Sequence, residues 1–153
     1  AAKEGTNRGD ERNGLAIHFH TRGGGHVEWR DQWHNNPDAR LKEKLNLFLR
    51  GSLPGRLPYE IYNLARDYSG WQGEEPTAHQ IQIDAKRVLK RKTAGDVKLP
   101  DEVIASMVDG LRVPADIEFL GRELLLARAL AGGYRWNTVD KGGAYHEPEP
   151  EDE

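Results

Sequence analysis

Residues 15–31 read Leu15-Ala16-Ile17-His18-Phe19-His20-Thr21-Arg22-Gly23-Gly24-Gly25-His26-Val27-Glu28-Trp29-Arg30-Asp31, with apolar and polar side chains alternating on both sides of a glycine cluster. Successive strand residues point to opposite faces, so this pattern predicts a β-hairpin with strands at 15–21 and 25–31. The turn sets the register. A three-residue loop, Arg22-Gly23-Gly24 with Gly24 left-handed, pairs Thr21 with Gly25 and His20 with His26. Phe19 then faces Val27 and Ile17 faces Trp29, so every large apolar group shares one face. A four-residue loop would set His18 beside Trp29 and mix the faces. Because a one-residue slip reverses every side chain, the three-residue loop is the consistent choice.

Downstream of the hairpin the apolar period changes from two to about 3.6. Asn36-Pro37 reads as an N-cap and first helical residue, followed by Leu41, Leu45, Phe48 and Leu49 until Gly51. A second helix starts near Pro58, carries Ile61, Leu64, Ala65 and Tyr68, and ends at Gly70. Thr77-Ala78-His79-Gln80 matches a capping box, with Gln80 reaching back, and opens a third helix whose stripe is Ile81, Ala85, Val88 and Leu89. A fourth runs from Pro100 to Gly110 over Val103, Ile104, Met107 and Val108. The fifth starts near Pro114, runs through Ile117, Leu120, Leu124 and Leu125 to Leu130, and is expected to stop at Gly132-Gly133. Its wide apolar face marks it as the central core helix. Residues 134–139 (Tyr134-Arg135-Trp136-Asn137-Thr138-Val139) suggest a short third strand. An isolated hairpin is marginal in water, and a third strand or a covering helix would relieve it. The expected fold is therefore α+β and mostly helical, a small antiparallel sheet packed on about five helices.

A chain of 153 residues fits one domain able to bury a core. Its polarity is concentrated at the ends: residues 1–13 hold no large apolar side chain, and the last ten hold five acids with no Lys or Arg. Such segments cannot offset the entropy of ordering, which predicts a flexible segment at 1–13, a globular domain at 14–139 and a flexible acidic tail at 140–153. Without those five acids the net charge of −3 becomes +2, so the body is near neutral. The absence of cysteine excludes disulfides, thiolate metal sites and a cysteine nucleophile. No apolar run approaches the roughly 20 residues that span a bilayer, and none has the form of a signal peptide. The expectation is a soluble, cytoplasmic protein with no membrane partner.

Two surfaces can carry function. On the hairpin, the chosen register sends His18, His20, His26 and Glu28 to one side, with Asp31 and His34 close in sequence. Imidazole and carboxylate both suit divalent ions such as zinc or manganese, and an open coordination position would activate water for hydrolysis. The His-x-His spacing on a strand resembles an element of metal-dependent nucleases, and a hairpin followed by a helix resembles the ββα-metal arrangement. Here Tyr59, Tyr62 and Tyr68 match a catalytic tyrosine helix only loosely, and the helix after the hairpin offers only Asn46, so no family is assigned. The bland reading is a solvated polar face.

The second surface is the third helix, with Lys86, Arg87, Lys90, Arg91 and Lys92 within seven residues. At about 100° per residue the first four of these avoid the apolar stripe and form one patch. A basic helix with an apolar underside presents charge to phosphates, and Trp71, Gln72 and Gln82 stand near in sequence to stack on or hydrogen-bond with bases. The connection before it is too long for a DNA-reading helix-turn-helix. The alternatives are a solvated face whose cations complement the helix dipole, or contact with an acidic protein surface. With no serine elbow and no phosphate-binding lysine loop, the favoured expectation is a non-enzymatic binding or assembly module without a cofactor. It would contact nucleic acid or an acidic protein, alone or in an oligomer. The alternative is a small metal-dependent hydrolase or nuclease centred on the hairpin.

Overall fold

The computed structural model describes residues 13–92 and 99–143, with side chains described through 90 and again over 99–133. Strands β1 (Gly14–His20) and β2 (His26–Gln32) pair antiparallel, with Ile17 opposite Trp29, Phe19 opposite Val27, His18 opposite Glu28 and His20 opposite His26. The Thr21 amide donates to the Gly25 carbonyl at 2.8 Å, the Gly24 amide donates to the Thr21 carbonyl at 2.9 Å, and Gly24 has φ 79°. These are the bonds of the three-residue loop with a left-handed third residue.

A 3-10 turn (Trp33–Asn35) leads into α1 (Pro37–Leu49), followed by α2 (Leu57–Ser69), α3 (Ala78–Lys92), α4 (Asp101–Val108) and α5 (Pro114–Gly143). Asn36 occupies the expected cap position, but its side chain makes no capping bond. Its left-handed backbone (φ 51°) closes the preceding turn instead, donating to the Trp33 carbonyl. Half of the expected capping box forms: Thr77 Oγ1 accepts from the Gln80 amide at 3.2 Å, while the Gln80 side chain turns to Asp84 at 3.1 Å.

The third strand expected at 134–139 is not present, because α5 continues through those residues to Gly143. A glycine ends a helix when its backbone turns left-handed. Gly51, at φ 75°, does this after α1; neither Gly132 nor Gly133 has a positive φ. Each costs the helix about 1 kcal/mol relative to alanine, which is not enough to stop it. Residues 140–143, expected in the flexible tail, also belong to α5, while 1–12 and 144–153 lie outside the described residues.

The helix α5 relieves the hairpin in the strand's place. It lies along α1 and α2 and reaches α3 and β2. Ile117, Leu124, Leu126 and Ala127 on α5 are fully buried with Leu57 and Ile61 of α2 and Ile81, Ala85 and Leu89 of α3. Trp29 of β2, 1% exposed, packs on Phe119 of α5 with ring centroids 6.2 Å apart. No helix among the described residues is long and apolar enough to cross a membrane.

Candidate functional site

The outer face of α3 follows from how its inner face packs. With Ile81, Ala85 and Leu89 at 0% exposure, the helix has one rotational setting, and Lys86, Arg87 and Lys90 project to solvent. Arg87 lies 3.5 Å from Asp84, and Lys90 lies 3.8 Å from Asp101 of α4. Exposed pairs of this kind contribute about 0–1 kcal/mol, so a phosphate can displace them at little cost. Arg91 and Lys92 form the last turn of α3, beyond the residues whose side chains are described.

Two residues that the sequence reading passed over share this face. His79 and Ile83 are exposed and stand at helical spacing with Lys86, Arg87 and Lys90. Ile83, 37% exposed, is out of phase with the buried Ile81, Ala85 and Val88, and that phase is the signal that would have found it. Gln82 is not available to bases. Its amide donates inward to the Leu111 carbonyl at 3.0 Å, tying α3 to the segment before α5. Trp71, 64% exposed, sits in the connection at 70–77, its indole so near Gly73 that a Cβ there would lie 2.9 Å from Nε1.

On the hairpin, His18, His20, His26 and Glu28 share the outward face. The His20 and His26 ring centroids are 5.2 Å apart, those of His18 and His26 are 5.5 Å apart, and His18 Nε2 is 4.0 Å from Glu28 Oε1. Arg30 approaches the same carboxylate at 3.7 Å. As they stand, no three His, Asp or Glu side chains among the described residues are arranged to hold a metal ion. Asp31, considered as a further ligand, is engaged elsewhere.

That other engagement is a buried ion cluster. Glu123 of α5, 2% exposed, accepts from Lys44 Nζ at 3.0 Å and from Arg40 Nη2 at 2.8 Å. Arg40 Nη1 donates to Asp31 Oδ2 at 2.6 Å, and its guanidinium lies 5.6 Å from the centre of the Phe119 ring. Asp31 Oδ1 accepts from the Gln32 amide and the Asn35 side chain, both at 2.8 Å. Burial pushes the Asp31 carboxyl up, but hydrogen bonds from Asn35, Arg40 and Gln32, with the Arg40 charge, hold it below its usual value. The cluster joins the end of β2 to α1 and α5, and its charges are too fully paired to act on a ligand. Its sequence signal was an acid in phase with Leu120, Leu124 and Ala127 on an apolar stripe.

A shallow groove of about 370 Å³ lies between α2 and the start of α5, lined by Tyr62, Arg66, Ser69, Pro114 and Glu118 among others. Glu118 is held by Arg122 at 2.5 Å. Burial raises the Tyr62 phenol, with Arg122 opposing. No nucleophile–base pair is formed there. No family model matches the chain, and neither a curated protein nor a solved structure matches it.

Proposed function

We propose that the protein is a non-enzymatic binding module that seats the phosphate backbone of a nucleic acid on the outer face of α3. The observation that carries this reading is the exposure of Lys86, Arg87 and Lys90 on one face of a helix whose opposite face is fully buried. Cations held on a fixed helix neutralise phosphates without ordering a loop, and each neutralised phosphate releases condensed counterions. His79 and Ile83 extend the same face toward the start of α3, where an exposed apolar group can lie against sugar or base. The reading is of backbone contact without base readout, since Gln82 faces inward.

Fluorescence anisotropy with labelled single- and double-stranded oligonucleotides of about 20 residues tests this reading. Three phosphate contacts predict an affinity loss between 50 and 200 mM salt of about forty-fold for the duplex and about twenty-fold for the single strand. The triple variant K86E/R87E/K90E loses binding while retaining its fold. Affinity without salt dependence, or unchanged in the triple variant, defeats the proposal. Tighter binding to a poly-glutamate peptide than to either oligonucleotide assigns the face to an acidic protein instead.

A further inference from the structure

From the hairpin geometry we infer a second, independent site: His18, His20 and His26, with Glu28, bind one divalent ion of the zinc class. The turn decides the argument. Thr21 and Gly25 form the last hydrogen-bonded pair before the loop, with the Thr21 amide on the Gly25 carbonyl. In an antiparallel ladder the pair types alternate, so His20 with His26 and His18 with Glu28 are both non-hydrogen-bonded pairs, the type in which opposed side chains stand closest. Two adjacent close pairs on one face bring three imidazoles and a carboxylate together, with His26 central to the three rings.

The spacing suits zinc. Two imidazoles sharing a tetrahedral ion at Zn–N distances of about 2.0–2.1 Å place their ring centroids about 5 Å apart. The observed separations are 5.2 Å for His20 and His26 and 5.5 Å for His18 and His26. The rings stand side by side and do not yet converge on one point. The inferred site therefore forms when the ion draws the side chains together by rotation about their own bonds. His20 and His26 are exposed, and the side chains of His18 and Glu28 are 32% and 37% exposed. The backbone that spaces them is held by the strand pairing and by Trp29 beneath it. An imidazole-dominated set selects borderline transition ions over magnesium or calcium, which require oxygen ligands.

The charged groups around the set are Arg30, which shares Glu28, and Arg22 in the loop. Both oppose a cation, so coordination must recruit the Glu28 carboxylate away from Arg30. The variant Arg30→Ala is therefore expected to tighten binding severalfold.

Isothermal titration of the full chain with Zn²⁺ tests the site, with Mg²⁺ as the oxygen-preferring comparison. One Zn²⁺ per chain is expected. His26→Ala weakens it by at least about tenfold, and His18→Ala or His20→Ala by less. His79→Ala on α3 leaves it unchanged. His26 is exposed, so the variant retains the fold, which far-ultraviolet circular dichroism and its thermal melt check. The absence of a Zn²⁺ isotherm up to about 100 μM, or an affinity unchanged by His26→Ala, overturns the assignment.

Discussion

Lys44 and Arg40 on α1 and Lys86, Arg87 and Lys90 on α3 are the same kinds of residue put to opposite use. The first group meets a Glu123 carboxylate closed to water, with Lys44 buried and Arg40 half-buried between it and Asp31; the second stands in solvent, Arg87 and Lys90 beside acids they touch only loosely. In water an ion pair gains little, because solvent already satisfies both charges. Away from water each charge needs its partner, and removal of one leaves the other stranded. The difference separates a structural fastening from an available surface. Charge in the sequence is therefore poor evidence of function until its burial is known.

Glu123→Ala is expected to have the largest effect on stability. It leaves Lys44 buried without an acid and is expected to cost about 3–5 kcal/mol, read by chemical denaturation. Replacing Lys44 and Glu123 together by Met and Leu should recover most of that loss. A cost for Glu123→Ala below about 1 kcal/mol would place the cluster with ordinary surface pairs.

Asp31→Asn is next in size. Charge-assisted hydrogen bonds predict a loss of about 1–3 kcal/mol at neutral pH. Because the folded carboxyl is held below its usual value, its stabilisation is complete above the unfolded pKa of about 3.9 and fades as pH falls through the lowered folded value. Wild type and variant should therefore converge in stability toward pH 2, and a difference constant with pH would contradict the assignment.

Tyr68→Phe probes the boundary between the two regions. The Tyr68 hydroxyl donates a hydrogen bond to Asp84, the residue that also holds Arg87. A cost of about 1 kcal/mol is expected. Burial first, and then the Asp84 carboxylate, raise the Tyr68 phenol above the usual tyrosine range. Ultraviolet titration should show one tyrosine resisting ionisation in the wild type, and Asp84→Asn should ease it. Stability from this group is complete below about pH 10 and is lost as pH rises through the raised value. The smallest effect on stability belongs to the neutral variant K86Q/R87Q/K90Q, within about 0.5 kcal/mol, even as phosphate binding is lost.

The hairpin was legible in detail because its two faces meet different surroundings. With Ile17, Phe19, Val27 and Trp29 needing one buried side, a single register satisfied them, and it carried His18, His20, His26 and Glu28 together to the other. Three of the helices were legible through their start and stop residues, and α3 through its Thr77 start and its apolar stripe. The end of α5 was misread because Gly132-Gly133 resembles a stop signal, yet neither glycine turns left-handed and the helix runs through both. Glu123 was missed because its partners lie 79 and 83 residues away.

Period, turn, cap and the face on which each side chain falls are local properties and readable along the chain. These depend on neighbours a few residues apart, whose geometry the backbone dictates. The tertiary structure alone decided which charges left water. Burial depends on which distant segments meet, so it assigned Lys44 to the interior, set Arg40 half-buried at its edge against Glu123, and left Lys86, Arg87 and Lys90 outside.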